Sequence, residues 1–330
     1  TLLLSLLIFL LIIIFTKEDN IKIIEYGNTN NVTYIFGHKN PDADTICSSI
    51  VAANLESLKG NKNKIIPCRL GELDSESKYI LEYFKVEEPL LIKNVLGATN
   101  VILVDHNDIL HSIDDLSSTN ILKIYDHHLV DFSYKTPIEI LTKPYGSTTV
   151  ILYEMYKLYN LEISKEIAGL ILGGLLSDTL VLHSSSTSEY DKMYAKELGE
   201  LAGVDYNEFG MEILKKGCDI SGKTIKEIIN SDAKTYETLT KFYPYKISCV
   251  KIMDYKELID KKDSILTEMN IEINENKYEL YLVCLIHILE LDSRCIVSGN
   301  KKEVVEKAFN VTLENDVIFL KGANIRLFVL

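Results

Sequence analysis

The sequence lacks the features that mark several specialised classes of protein. Its six cysteines form no CxxC pair and have no even spacing, which excludes a small secreted disulfide scaffold and favours reduced thiols in the cytoplasm. Basic residues are scarce, 35 against 48 acidic ones, and the net charge of −13 would repel a long polyanion such as DNA. The chain also has no internal repeat and no low-complexity run. We therefore expect no nucleic acid among its partners.

Length and composition are those of an ordinary globular protein. The chain has 330 residues, of which 47% are hydrophobic and 25% charged. Wholesale disorder and a polytopic membrane protein are excluded by this balance. At roughly 150 residues per domain, the length predicts two domains with separate cores.

An apolar leader precedes the globular pattern. All of the first fifteen residues except Thr1 and Ser5 are Leu, Ile or Phe, and the run ends at Thr16 and Lys17. At about 1.5 Å per residue it spans about 22 Å, short of a ~30 Å hydrocarbon core, and it has no basic leader or small-residue cleavage site. Residues 1–20 are either the tail of a signal anchor or sequence from upstream of the true start. Membrane anchoring through residues 2–15 is the alternative to a cytoplasmic location.

Short apolar runs then alternate with longer amphipathic stretches, a pattern typical of a parallel α/β sheet. The spacing predicts strands at 32–36, 64–68, 101–104 and 121–125, and helices at 45–59, 75–84, 147–159, 164–176 and 191–214. The 164–176 helix is rich in Gly and Leu, which favours close packing.

A second domain follows a short linker. Residues 217–224 contain two glycines and little hydrophobicity, so the first domain is assigned to 30–216 and the second to 225–330. Strands predicted at 246–252, 280–286, 294–297 and 317–320, mixed with helices, make the second domain a smaller mixed α/β unit. We expect the active site in the cleft between the two domains.

Acidic and imidazole side chains follow several of the predicted strands and the Gly-rich helix. In an open parallel sheet, residues just past the carboxyl ends of neighbouring strands converge on one crevice. A single Asp or His at such a place is more often a helix cap or a packing residue. Six together would repel one another unless cations lie between them. The sequence therefore predicts a metal site made of His38, Asp42, Asp44, Asp105, His127 and Asp178.

The donor types favour Mn²⁺. Carboxylates suit Mg²⁺ or Mn²⁺, imidazoles shift the preference toward Mn²⁺, Co²⁺ or Fe²⁺, and no cysteine is a plausible ligand. Two such ions about 3.5–4 Å apart can share a carboxylate and a bridging hydroxide for attack on phosphorus. The expected chemistry is hydrolysis of a phosphoester or phosphoanhydride.

The same residues resemble the signature motifs of the DHH phosphoesterase superfamily. The segments are 37–49 (GHKNPDADTICSS), 104–107 (VDHN) and 126–128 (DHH). Within the superfamily they resemble the manganese-dependent family II inorganic pyrophosphatases, to which the extension through Ile46, Cys47 and Ser48 is specific. The similarity runs from about Val32 to Gly322 and includes 311–315 (VTLEN) in the second domain.

This resemblance implies a role for each residue in hydrolysing inorganic pyrophosphate to two orthophosphates. His38 and Asp42 would hold one Mn²⁺, with Co²⁺ or Mg²⁺ as substitutes. Asp44, His127 and Asp178 would hold the other, and Asp105 would bridge the two ions. His128 would protonate the leaving group, with His106 supporting the ligands. Lys234 and Arg326 of the second domain would clamp the substrate, and the protein would be a homodimer joined at the sheet edge of the larger domain.

The C-terminus departs from the family pattern. The family continues with Ser-Arg-Lys after a Lys-Gly pair, which is present here as Lys321 and Gly322, but Leu327 stands where the last Lys is expected. Three alternatives to a pyrophosphatase stay open. The first is an exopolyphosphatase or cyclic-dinucleotide hydrolase. The second is an oligonucleotide phosphodiesterase, although the sequence lacks the basic, aromatic-lined track that would bind a nucleic-acid strand. The third is a non-catalytic homologue with a deficient clamp.

Overall fold

The computed structural model describes residues 32–95, 97, 99–236, 244–288, 290 and 292–321. Within these residues the chain forms two sheets, and separate hydrophobic clusters pack against the faces of each. The predicted leader over 1–20, as well as Arg326 and Leu327, lies outside the described residues.

The first sheet has six strands, and every neighbouring pair in it is parallel. The two central strands, Val32–Phe36 and Asn100–Val104, are short and largely apolar, as expected for strands buried on both faces. In spatial order the six strands are β3 (Leu90–Leu91), β2 (Lys64–Arg69), β1 (Val32–Phe36), β4 (Asn100–Val104), β5 (Asn120–Asp126) and β6 (Glu139–Thr142).

The strand order reverses between β1 and β4. From β1 the chain runs outward to β2 and β3, then returns to place β4 on the other side of β1. The crevice outside the carboxyl ends of two such strands is where open parallel sheets bind ligands. This reversal fixes the position of the predicted metal site.

Six helices belong to the first domain. They are α1 (Ala43–Leu58), α2 (Ser75–Phe84), α3 (Thr148–Leu158), α4 (Lys165–Asp178), α5 (Glu189–Ala202) and α6 (Tyr206–Gly217). The Gly-rich helix α4 is fully surrounded by protein along most of its length. A Cβ added at Gly169 would meet the ring of Phe84 at 2.2 Å, so the glycine lets α4 pack closely against α2.

The second sheet is mixed, with β8 and β9 parallel and its other pairs antiparallel. Its spatial order is β11 (Val317–Leu320), β10 (Asp292–Gly299), β9 (Leu280–His287), β8 (Tyr245–Ile252) and β7 (Ala233–Tyr236). The helices of this domain are α7 (Ile225–Asn230), α8 (Lys256–Ile259), α9 (Lys262–Asn276) and α10 (Lys302–Phe309). The predicted fold class, a parallel-sheet domain followed by a smaller mixed α/β domain, is confirmed.

The helical stretch predicted over 191–214 is two helices rather than one. Gly203 ends α5 in the left-handed conformation, with φ of 67°, and Asp205 caps α6 by accepting from the amide of Glu208. Glycine at that position allows the positive φ that breaks the helix. Among the described residues, no helix has the length and apolarity that a membrane span requires.

Candidate metal centre

The loops at the carboxyl edge of the first sheet converge on one point. His38 follows β1 and Asp105 follows β4 directly, while β5 ends at Asp126 and leads into His127 and His128. Two helices supply further residues at this point, because Asp44 lies in the first turn of α1 and Asp178 is the last residue of α4. The topology therefore brings together residues that are up to 140 positions apart in the chain.

Asp105 lies at the centre of this arrangement. Its Oδ2 is 3.6 Å from Nε2 of His38, and its Oδ1 is 3.4 Å from Nε2 of His127. The side chain is 1% exposed, and the backbone has a positive φ of 58° that ordinary residues rarely adopt. Each carboxylate oxygen thus faces a different imidazole.

Two groups of potential ligands meet at Asp105. In each group the donor atoms all lie within 4.8 Å of one another. The first group is His38, Asp42 and Asp105, and the second is Asp44, Asp105, His127 and Asp178. All six residues named from the sequence are in these groups, and one carboxylate is common to both. A third overlapping group joins Asp105 and His127 to His128.

The environment of His127 fits a metal ion. Its Nδ1 lies 3.0 Å from the carbonyl oxygen of Tyr145, so Nδ1 carries the hydrogen and donates it. The other nitrogen, Nε2, is buried, makes no hydrogen bond, and lies 3.4 and 3.6 Å from oxygens of Asp105 and Asp178. In the neutral ring that binds a metal, this nitrogen directs a lone pair at two carboxylates, which is repulsive unless a cation lies between them. Imidazole with its other nitrogen held by a carbonyl is a common arrangement of metal-binding histidine.

The titration of the cluster is strongly perturbed. Burial raises the pKa of Asp44 well above its usual range, and the charges of Asp105 and Asp178 raise it further. For His127, burial opposes the charged form, but the carboxylates of Asp105, Asp178 and Asp44 outweigh burial and raise its pKa well above the ordinary value. Both shifts have the same cause, an excess of buried negative charge, which a divalent cation would compensate.

Asp44 is oriented by a helix other than its own. Its two carboxylate oxygens accept hydrogen bonds from the amides of Thr148 at 2.7 Å and Thr149 at 3.1 Å, at the N-terminus of α3. Asp42, by contrast, caps α1 itself by accepting from the amide of Thr45. A Cβ on Gly174 of α4 would come within 2.8 Å of Oδ1 of Asp44, so glycine there makes room for the carboxylate.

Two threonine hydroxyls fix the central carboxylate. Oγ1 of Thr45 donates to Oδ2 of Asp105 at 2.6 Å, and Oγ1 of Thr148 lies 3.2 Å from Oδ1. No separate signal in the sequence pointed to these contacts, although Thr45 lies inside the first motif. Hydrogen bonds to ligand carboxylates orient them and tune the ion that they hold.

His128 is the exposed histidine of the site. Its side chain is 46% exposed, and its Nδ1 lies 2.8 Å from Oδ1 of Asp126. The other oxygen of Asp126 accepts from Nδ2 of Asn107 at 2.5 Å. Burial raises the pKa of Asp126, but the hydrogen bond and charge of His128 outweigh it and lower the pKa. Sequence reasoning named both motifs but gave Asp126 and Asn107 no role.

His106 is a buried residue that directly follows Asp105. Its Nδ1 is 3.0 Å from the carbonyl oxygen of Val104, and its ring packs near that of Phe36. Burial lowers the pKa of His106 to about 4, so the ring is neutral at physiological pH. The hydrogen bond shapes the loop that carries Asp105.

The second domain brings a cation toward the site. Lys234 lies on the edge strand β7 and is exposed. Burial opposes the charged form of His38, the carboxylates of Asp105 and Asp42 outweigh burial and raise its pKa, and the positive charge of Lys234 acts in the opposite direction. Lys234 is therefore close enough for its charge to act on His38.

The backbone is strained just after Asp178. Leu180, Val181 and Leu182 follow Asp178 and Thr179, and all three have positive φ between 49° and 66°. Such conformations cost about 1–2 kcal/mol per residue for side chains other than glycine. Packing offsets the cost, because Leu180 and Val181 are buried in the main core.

Comparison with known proteins places this geometry in a family. The DHH family N-terminal domain matches residues 32–175, and the DHHA2 domain matches residues 211–326. The manganese-dependent inorganic pyrophosphatase of Bacillus subtilis is 41% identical over 291 residues, which cover 87% of this chain and 93% of the relative. The chain belongs to the manganese-dependent inorganic pyrophosphatases. The family suggested by the sequence motifs is thus confirmed.

Solved structures agree with membership of the manganese-dependent inorganic pyrophosphatases. A crystal structure from Methanococcus jannaschii assigned to the family II inorganic pyrophosphatases superposes with a TM-score of 0.79 at 34% identity, covering 88% of this chain and 94% of that one. An exopolyphosphatase-related protein from Bacteroides fragilis has a TM-score of 0.50 at 15% identity, covering 89% and 87% of the two chains. The second likeness concerns the fold alone.

Proposed function

We propose that the protein hydrolyses inorganic pyrophosphate to two orthophosphate ions with Mn²⁺ as its cofactor. The observation that carries this proposal is the position of Asp105, whose two oxygens face His38 and His127 and belong to both ligand groups. A carboxylate shared in this way suits a pair of divalent ions. Membership of the manganese-dependent pyrophosphatases supports the same metal and substrate.

Each ligand group would hold one ion. His38 and Asp42 would bind the first, Asp44, His127 and Asp178 would bind the second, and Asp105 would contact both. When bound, such ions neutralise phosphate oxygens and acidify a water molecule beside them. Co²⁺ and Mg²⁺ are substitutes that the same donors accept.

The leaving phosphate needs a proton, and we assign its delivery to His128. Since its Nδ1 hydrogen is held by Asp126, its Nε2 is the nitrogen left for substrate. The carboxylate of Asp126 stabilises the charged imidazolium that a general acid requires. Half-exposure of the ring leaves it accessible to a phosphate entering the cleft.

The second domain would bind the phosphates and close the cleft. Lys234 supplies a positive charge on the side of His38, and Arg326 would add a planar fork for a second phosphate oxygen. We assign this clamp to a domain of residues 225–330, joined to the metal-binding domain of residues 30–216 by a linker at 217–224. In support, α6 ends at Gly217 and α7 begins at Ile225.

The function is tested by assaying phosphate release from several substrates. After removal of metal with a chelator, Mn²⁺ should restore hydrolysis of pyrophosphate, whereas short oligonucleotides and cyclic dinucleotides should remain intact. Asp105→Ala should abolish the activity, and Asp131→Ala, an exposed carboxylate of the same region, should not. Hydrolysis of tripolyphosphate in preference to pyrophosphate would favour an exopolyphosphatase, and absence of all activity a non-catalytic homologue.

We also propose a homodimer joined at the β6 edge of the first sheet. An edge strand presents unpaired backbone groups to a partner, and Ile140 of β6 is 38% exposed. Light scattering should give twice the chain mass of 37.5 kDa, and Ile140→Lys should lower it. A monomeric mass for the unaltered protein would contradict the proposal.

A cytoplasmic location is proposed from the thiols. None of the six cysteines, all of which are described, forms a disulfide in the structure, as expected in a reducing compartment. Cell fractionation tests this location. Recovery of the full chain in the membrane fraction would instead indicate anchoring through residues 2–15.

A further inference from the structure

A buried ion pair joins the two domains beside the C-terminal end of α4. Nζ of Lys251, on β8 of the second domain, lies 2.7 Å from Oε1 of Glu76, on α2 of the first domain. The two residues are 175 positions apart in the chain. The side chain of Glu76 is 2% exposed and that of Lys251 is 16% exposed, so water screens the pair poorly.

The same carboxylate also contacts the helix end that carries a ligand. Oγ of Ser177 donates a short hydrogen bond to Oε2 of Glu76. Ser177 directly precedes Asp178, the last residue of α4 and a member of the second ligand group. Glu76 therefore connects the second domain, through two hydrogen bonds, to the backbone beside Asp178.

Glu76 is also packed against the beginning of the interdomain linker. A Cβ added at Gly217, the last residue of α6, would lie 1.9 Å from Oε1 of Glu76. The glycine thus lets the chain pass closely over the carboxylate as it leaves the first domain. The end of α4, the start of the linker and the second domain therefore all contact the side chain of Glu76.

Apolar contacts also join the two domains. Ile288 and Met253, which follow β9 and β8 of the second domain, pack into the main core of the first domain. Apolar packing is not directional and tolerates sliding, whereas a buried ion pair requires one geometry. The pair is therefore the element of this contact that selects a particular angle between the domains.

We infer that Glu76 and Lys251 are positioning residues, which fix the orientation of the substrate-clamping domain and couple it to the Asp178 end of α4. The inference rests on the proposed function, because it concerns the cleft in which pyrophosphate would bind. Removing the charge of Lys251 leaves the buried carboxylate of Glu76 without its cation. The domain orientation and the contact between Glu76 and Ser177 should then change together.

The test compares Lys251→Met with a matched control, Lys246→Met. Lys246 lies on the same strand β8 and forms a buried ion pair with Glu272, but both partners belong to the second domain. Lys251→Met should weaken Mn²⁺ binding about tenfold, the lower end of the effect of losing a direct contact to a metal ligand, because Lys251 acts on Asp178 only through Glu76 and Ser177. It should also raise the KM for pyrophosphate several-fold, and it should broaden the distance distribution in small-angle X-ray scattering. Lys246→Met should lower thermal stability and change none of these three quantities.

Further variants keep the comparison decisive. Lys251→Arg should restore KM and Mn²⁺ affinity, and Glu76→Gln combined with Lys251→Met should be no worse than the poorer single variant. If Lys251→Met fails to fold, Glu76→Gln, which keeps the size of the side chain, takes its place. Equal KM, metal affinity and scattering for Lys251→Met and Lys246→Met would overturn the inference. If the unaltered protein left pyrophosphate intact, the proposed function would fail, yet metal affinity and scattering would still test the pair.

Discussion

Oδ1 of Asp126 accepts two hydrogen bonds from His128, one from Nδ1 at 2.8 Å and one from the backbone amide at 3.1 Å. The imidazole is thereby held in one tautomer and one orientation, although nearly half of its surface is exposed. An exposed side chain that is fixed in this way is suited to deliver a proton repeatedly to the same place.

Asp126→Asn should therefore impair the chemical step more than binding. The amide cannot stabilise the imidazolium, and we expect kcat for pyrophosphate to fall about 10²-fold, with KM nearly unchanged. Steady-state kinetics across pH 6–9 measure the effect. Asp131→Asn is the matched control, because Asp131 is exposed. Its hydrogen bond to Asn107 is donated by its backbone amide, which the substitution keeps. A larger change in KM than in kcat would contradict the role of His128.

Thr45→Val should weaken metal binding. The substitution removes the 2.6 Å hydrogen bond to Oδ2 of Asp105 and keeps the shape of the side chain. Loss of such an outer contact costs about 10–100-fold in metal affinity. Titration of free Mn²⁺ by electron paramagnetic resonance gives the dissociation constant directly. Thr45→Ser retains the hydroxyl and should bind Mn²⁺ nearly as the unaltered protein does; equal weakening in both variants would assign the loss to packing.

Leu327→Lys should raise the rate of pyrophosphate hydrolysis. The family pattern has a Lys at this position, and its point charge would stabilise the transferring phosphate. Contacts of this class contribute on the order of 10²-fold to rates, and recovery of about tenfold in kcat is expected. Phe328→Lys, which places the same charge one residue later, is the control. An unchanged rate would mean that the clamp works without the missing Lys.

Asp74→Asn should stabilise the protein above pH 6. Burial, together with the charge of Glu76, raises the pKa of Asp74 from 3.8 to about 6. A carboxyl with a higher pKa in the folded state binds its proton more tightly there, so its contribution to stability falls as pH rises from about 4 to about 6. Asparagine still caps α2 without ionising, and Tm at pH 8 should rise by a few degrees.

The gain from Asp74→Asn should shrink as the pH is lowered to 4.5, where the unaltered side chain is largely protonated. Asp205→Asn is the comparison, since Asp205 caps α6 from an exposed position. Scanning calorimetry at both pH values measures the difference. The same gain at both values would exclude ionisation of Asp74 as its cause.

The sequence predicted the strands that carry the site because each is a continuous apolar run ending in polar residues. Strands β3, β6 and β7 were not predicted, since each has only two to four residues, too few for an apolar pattern to be recognised, and each lies at the edge of its sheet. The six ligand candidates could be named because one rule, convergence at the carboxyl edge, applies to all of them.

Contacts between distant elements carried no local signal. Pairing of Glu76 with Lys251 depends on how the two domains pack. The hydrogen bonds that the first amides of α3 donate to Asp44 depend on where that helix begins in space. Neither follows from periodicity or spacing. Tyr145 contributes through its carbonyl oxygen, a group that every residue has, so its side-chain identity gives no clue to the contact with His127.

The two amides that hold Asp44 have a practical consequence for preparing the enzyme. Because α3 orients this carboxylate from within the folded chain, one member of the second ligand group is in place before any cation arrives. Exchange of one metal for another should therefore proceed by dialysis of the native protein, with no unfolding step. Samples loaded with different cations would then share one scaffold, and differences in their turnover would report on the ions alone.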